Sequence, residues 1–160
     1  MLRLLQHFTA GSGFMNQINA GPVLIQGGQH ADERGKVSFV NGFDFKGVDR
    51  CFWIRAAKAN VLRGWVGHRR EQKWFTVVQG EVLVAVVRPD DWERPSQDLP
   101  VTRYVLSDGH PQVLHVPPGY ATASVNLSQD SILLVFSSGK LENTNADDFR
   151  FPVGHWPIQP

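Results

Sequence analysis

Residues 61–89 read VLRGWVGHRREQKWFTVVQGEVLVAVVRP: apolar runs rich in Val, Phe and Trp, broken by the charged HRREQ and by Gly80. Branched and aromatic side chains fit a pleated, half-buried surface, and Gly punctuates it, so strands are expected over 60–68, 73–79 and 81–87. The same texture continues in both directions. VLIQ (23–26), KVSFVNGFDF (36–45), DRCFWIRA (49–56), TRYVLS (102–107), QVLHVP (112–117), ATASVNLS (121–128) and SILLVFSS (131–138) are further strand candidates. Gly, Pro, Asn and Asp separate them at intervals expected of sandwiches and barrels. Helix has little room: AAKA (56–59) is short and the tail LENTNADDFRF (141–151) holds at most one turn. PDDWERPSQDLP (89–100) reads as a long surface loop. The fold class expected is all-β, a barrel or jelly roll spanning residues 1–160 as one domain.

Composition narrows the function. A chain of 160 residues with 42% hydrophobic and 11% aromatic content can fill a core, which excludes a disordered protein. Lys and Arg number 16 against 15 acids, so no global field exists to hold a nucleic acid or an anionic membrane. The single Cys51 excludes an internal disulfide and any CxxC motif, which favours a reducing cytoplasm. The opening MLRLLQHFTAGSGF breaks its apolar run at Gln6 and His7, too early for a signal peptide. No window approaches the ~20 apolar residues of a membrane helix. A cytoplasmic protein with neither nucleic-acid nor membrane partner is expected.

Any anion site must then be local. Arg63, Arg69, Arg70 and Lys73 stand against Glu71 alone, with His68 able to titrate among them. Lys73 alternates with Phe75 and Val77, which turns its ammonium toward the interior. Downstream, LHVPPGYATASVNLS (114–128) turns at PPG and is expected to return antiparallel beside the strand before it. His115 faces opposite to Leu114 and Val116, while His7, His30, His110 and His155 sit in turn-like or terminal contexts and read as solvent-facing. Trp92 reads as a cap on an oligomer contact. Asp147 and Asp148 read as turn caps.

DERG (32–35), VLRG (61–64), QKWFTVVQGEVLVAVVRP (72–89) and LHVPPGYA (114–121) come in the order of DxRG, VLRGLHxQ, a Lys-initiated strand ending in RGEV, and WIPxGFAHGF. In this the chain resembles the cupin-fold dTDP-4-dehydrorhamnose 3,5-epimerases. RGKVSFVNGFDFKGVDRCFWI (34–54) is similar to the related dTDP-sugar 3,4-ketoisomerases of the WxcM-like family. The resemblance implies an RmlC-like cupin jelly roll, a homodimer, and a nucleotide-linked 4-keto-6-deoxy sugar as substrate in deoxysugar and polysaccharide biosynthesis. It places Arg34 and Arg63 where substrate-contacting arginines stand, and Lys73 where a lysine faces the enolate. Arg forks suit a pyrophosphate because they pair two oxygens at once.

Departures from the pattern are as informative. Val66 occupies the base position of RGLHxQ, Thr122 the histidine position of GFAHGF, and Phe136 with Ser137 the region of the family's acid tyrosine. His68 falls on the second histidine of the ketoisomerase pattern RGxHAH and serves as a displaced base if Gly64 and Gly67 bulge the strand. With His115 and Tyr120 as further proton carriers, the expected site is His68 and Lys73 for catalysis, with Arg34, Arg63, His115, Tyr120 and Thr122 binding substrate. The expected reaction is 3,5-epimerisation. A 3,4-ketoisomerase and a noncatalytic sugar-nucleotide-binding cupin are the alternatives. His68 and Glu71 make a poor first shell for a transition metal, so neither metal nor other cofactor is expected. Residues 1–30 read as an extension or a strand swapped between subunits.

Overall fold

The computed structural model describes residues 21–159 and is nearly all-β. Every expected strand forms: β1 (Val23–Gln26), β3 (Gly35–Phe39), β4 (Arg50–Arg55), β5 (Leu62–His68), β6 (Lys73–Gln79), β7 (Glu81–Val87), β8 (Thr102–Ser107), β9 (Gln112–Val116), β10 (Tyr120–Asn126) and β11 (Ile132–Ser137). Two short ones were not foreseen, β2 (Gly28–Asp32) and β12 (Phe149–Arg150), and a 3-10 turn occupies Leu141–Asp147. The strand expected over 36–45 stops at Phe39, because the chain turns at Asn41 and Gly42. Of residues 1–30, those before 21 lie outside the described residues. Val23–Gln26 pairs antiparallel with Gln112–His115 of its own chain.

Two five-stranded sheets form the jelly roll, ordered β1-β9-β6-β11-β4 and β12-β5-β10-β7-β8, with β2 and β3 as a separate hairpin. From β4 to β12 the chain therefore crosses between the sheets at every step except β7 to β8, which pair as antiparallel neighbours. Gly80, at φ 74°, carries the chain from β6 to β7, and Gly119, at φ 91°, carries it from β9 to β10. The turn at Pro117, Pro118 and Gly119 does not return the chain beside β9, as its sequence suggests. β9 is already paired on both sides, by β1 and β6, so β10 must leave for the gap between β5 and β7. Gly119 N–H donates to the His68 carbonyl at 2.8 Å and fixes the crossing.

Side-chain alternation builds the core. Phe75, Val77, Leu114, Val116, Leu133 and Val135 of the first sheet meet Val82, Val84, Val86 and Leu106 of the second. β7 is buried on both faces. Its Leu83, Ala85 and Val87 join Trp65, Ala123, Trp156 and Ile158 in a second cluster outside the second sheet. The C-terminal segment covers that face: Trp65 Nε1 donates to the Trp156 carbonyl at 3.1 Å, and Arg103 Nε donates to the Ile158 carbonyl at 2.9 Å.

Candidate active site

Three strands of the first sheet present matched inward rows. Register pairs Arg50 with Ser137 and Ser137 with Lys73; the next row is Phe52, Val135 and Phe75, and the third is Ile54, Leu133 and Val77. One end of the sandwich is thus polar and charged, and the remainder is apolar. The second sheet supplies the facing wall. Between β5 and β10 the register slips: Val66 opposes Thr122 but Arg63 opposes Ser124, so Gly64 and Trp65 share the space across from Ala123. This bulge brings Arg63 onto the same face as Val66 and His68, all three lining one cavity of about 520 Å³. A Cβ on Gly64 would come within 2.6 Å of the Val153 side chain, which a larger residue there would have to displace.

Arg63, His68, Lys73 and Thr122 of the expected site meet in this cavity, joined by Arg50, Asp148 and Arg150. Glu71 is the hub beneath them. Its carboxylate lies 3.3 Å from Arg50 Nη2, 3.7 Å from Lys73 Nζ and 3.6 Å from His68 Nδ1, and it accepts a hydrogen bond from the Ser137 hydroxyl. The turn carrying Glu71 is held by Asp147, whose carboxylate accepts the backbone N–H groups of Arg69, Arg70 and Glu71 at 2.8, 2.9 and 2.8 Å. Asp147 does cap a turn, as its sequence suggests, but one that is distant in the chain.

His68 is anchored through one ring nitrogen. Its Nδ1 lies 2.6 Å from the Asp147 carbonyl oxygen, which can only accept, so Nδ1 carries the hydrogen and Nε2 keeps its lone pair. Nε2 is buried without a hydrogen-bond partner among the described residues, as are Arg50 Nε and Asp148 Oδ1. All three belong to residues that line the cavity. Burial, reinforced by the Lys73 ammonium, holds the His68 imidazole below its ordinary value. Burial also lowers the Lys73 ammonium, opposed by Glu71. A neutral base therefore sits beside cations able to stabilise an oxyanion.

Other expected positions lie elsewhere. Arg34 stands on the β2–β3 hairpin with its side chain 84% exposed, paired with its own Asp32 at 2.5 Å. His115 stacks on Trp74 at 5.2 Å on the outer face of the first sheet, its Nε2 2.8 Å from Gln72 Oε1. Tyr120 packs against the interior apolar cluster. Phe136 also points outward, against Phe43 and Phe45, which leaves Ser137 as the inward residue. Arg69 and Arg70 do not share the cavity with Arg63 and Lys73; Arg69 lies over Trp92 and Phe149 instead. His155 is half-buried against Pro95, not solvent-facing, while His7 lies outside the described residues. Trp92 packs on its own chain, against Phe149 and Phe151. Arg50 was legible as the inward partner of Phe52 and Ile54 by alternation; Asp148 and Arg150 were not, because only the pairing of β12 with β5 brings them to the cavity.

His68, Glu71 and Asp147 offer ligand atoms within 4.8 Å of one another. Those donors are committed. Asp147 already accepts backbone N–H groups, Glu71 a hydroxyl, and an incoming dication would sit beside Lys73 and Arg50. The group fits a metal poorly.

The family described as FdtA: WxcM-like, C-terminal matches residues 22–150. No curated protein matches the chain. Among solved structures, the Mycobacterium tuberculosis rmlC epimerase superposes with a TM-score of 0.65 at 20% identity, covering 85% of this chain and 71% of that one. The sugar 3,4-ketoisomerase QdtA of Thermoanaerobacterium thermosaccharolyticum, in complex with TDP, gives 0.63 at 18% identity, covering 84% and 91%. The Bacillus anthracis dTDP-4-dehydrorhamnose 3,5-epimerase, with TDP and PPi bound, gives 0.63 at 19%, covering 87% and 86%. At these identities the likeness establishes the fold, an RmlC-like cupin.

Proposed function

The chain belongs to the WxcM-like, C-terminal (FdtA) family, and on that premise we propose that it isomerises a dTDP-linked 4-keto-6-deoxy sugar by removing a proton alpha to the ketone, without a metal. The observation that carries this reading is His68: an imidazole whose Nδ1 is tied to a backbone carbonyl and whose Nε2 has no hydrogen-bond partner among the described residues, in a cavity that Arg50, Arg63, Lys73 and Arg150 also line. In the proposed step Nε2 takes the hydrogen from C3 and the bond electrons move into an enediolate across C3 and C4. Lys73 and Arg50 stabilise its oxygen charge, and Arg63 with Arg150 holds the diphosphate.

Two outcomes are open to that enediolate. Epimerisation at C3 and C5 needs a proton delivered to the opposite face of the ring, the role of the family's acid tyrosine. Among the described residues no tyrosine lines the cavity. A single base serves better for 3,4-ketoisomerisation, in which the proton removed from C3 returns at C4 and the hydroxyl hydrogen moves from O3 to O4, with no oxidant needed. This favours the ketoisomerase over the 3,5-epimerase expected from the sequence. Incubation of dTDP-4-keto-6-deoxyglucose with the protein in D2O, followed by NMR, tests the choice. A 3-keto product supports ketoisomerisation; deuterium at C3 and C5 with the ketone kept at C4 supports epimerisation. Thermal stabilisation by dTDP with neither change would mark a noncatalytic binding protein.

We also propose a homodimer. Trp53 at 65%, Val78 at 54% and the hairpin's Val37 at 65% exposure leave a broad apolar face on the first sheet and its neighbour, which a second copy would cover.

A further inference from the structure

β12 divides the catalytic cavity from a second concavity of about 450 Å³ on the outer side of the second sheet. Along this strand Asp148 lines the inner cavity and Phe149 and Phe151 the outer one, while Arg150 lines both. The outer concavity has aromatic walls. Trp92 lies 5.0 Å from Phe149 and 6.3 Å from Phe151, and the Arg69 guanidinium lies 6.0 and 5.9 Å over Trp92 and Phe149. Arg94 and Arg150 stand at its border, opposed by Glu93.

The walls are set in place without a ligand. Gly67 makes room for the Trp92 ring, since a Cβ there would come within 2.6 Å of it. Asp91 Oδ1 accepts the backbone N–H groups of Glu93 and Arg94 at 2.7 Å each, and His155 Nε2 lies 3.1 Å from the Pro95 carbonyl, so both flanks of the loop are tied. The volume falls within the roughly 300–1,000 Å³ typical of small-molecule sites. Tilted rings flanked by guanidinium groups offer faces and edges that suit a flat heteroaromatic ring carrying phosphate behind it.

Building on the nucleotide-sugar reading above, we propose that this concavity binds the nucleobase end of the same substrate. The diphosphate crosses the β12 edge at Arg150 and the sugar lies in the inner cavity. Arg150 is suited to that crossing: its side chain is 74% exposed and, among the described residues, is hydrogen-bonded to Asp148 alone, so its fork can turn to an anion.

Calorimetric titration of the full chain with dTDP and with inorganic pyrophosphate tests this. Trp92→Ala is expected to weaken dTDP binding by about 5- to 150-fold, the loss of a stacked base, with pyrophosphate binding unchanged. In the unaltered protein, dTDP but not pyrophosphate should shift the indole N–H resonance of Trp92, a readout that does not depend on the variant folding. Equal dTDP affinity in Trp92→Ala, an equal loss of pyrophosphate affinity, or a motionless Trp92 indole at saturating dTDP would overturn the inference while leaving the catalytic reading intact. An unaltered protein that takes neither dTDP nor pyrophosphate would overturn both.

Discussion

Burial and the Lys73 charge make the folded chain disfavour a protonated His68, whose ordinary value is 6.5. Below pH 6.5 the unfolded chain binds that proton more readily than the folded one. His68 thus costs no stability above pH 6.5 and erodes it as pH falls from there through the lower folded value. Urea midpoints should therefore drop more steeply below pH 6.5 for the native chain than for His68→Asn; parallel curves would mean the imidazole titrates freely. Activity should persist below pH 6.5 before it fails, because the base stays neutral, and its alkaline limb should fall below the ordinary lysine value of 10.5 as Lys73 loses its charge. Glu71 is the buried carboxylate on which the cations of the site converge. Its carboxylate is 4% exposed and faces Arg50, Lys73 and His68, so Glu71→Gln should lower stability by about 3–5 kcal/mol in denaturant unfolding.

Strands were legible element by element because alternation and turn residues are local signals. The sheets were not. The sequence around Pro117, Pro118 and Gly119 reads as a hairpin, and only the occupancy of both edges of β9 shows why the chain crosses over. The place of His68 was legible only on a condition: of the bulge expected at Gly64 and Gly67, the part at Gly64 forms, together with Trp65, and sets Arg63 on the face of His68, while Gly67 stays in register opposite Ala121. Phe136 and Ser137 show the limit most plainly: neighbours in sequence, they face opposite ways, and the inward one is the serine. The 3-10 turn acts on the site through Asp147, whose side chain holds residues 69–71 and whose carbonyl holds His68. Asp147→Ala orphans three N–H groups at a buried turn and should cost about 1–3 kcal/mol. Turnover should fall further than lost stability explains, while the backbone carbonyl survives in any variant. Asp147→Asn, which keeps one acceptor, should recover part of both, as read by denaturant titration and steady-state rates.

At the scale of the molecule, a polar end and an apolar body divide the sandwich, and the C-terminal segment seals its outer side. Trp156 is fully buried against Trp65 and donates Nε1–H to the Ser96 carbonyl at 2.8 Å. Trp156→Ala should cost about 3–5 kcal/mol, read as a lower urea midpoint at unchanged slope. The apolar face around Trp53 predicts a sedimentation mass of twice 17.9 kDa, and Trp53→Lys should shift it toward that of one chain. A native chain that sediments at 17.9 kDa would contradict the dimer. The most direct test of the whole account is the rate at which dTDP-4-keto-6-deoxyglucose loses its C3 hydrogen signal as the 3-keto sugar forms, followed by proton NMR and compared between the native chain and a folded His68→Asn. The account predicts conversion well above the enzyme-free rate for the native chain and a loss of about 100- to 10,000-fold in the variant, the usual contribution of a positioned general base. Equal conversion in the two proteins would contradict it.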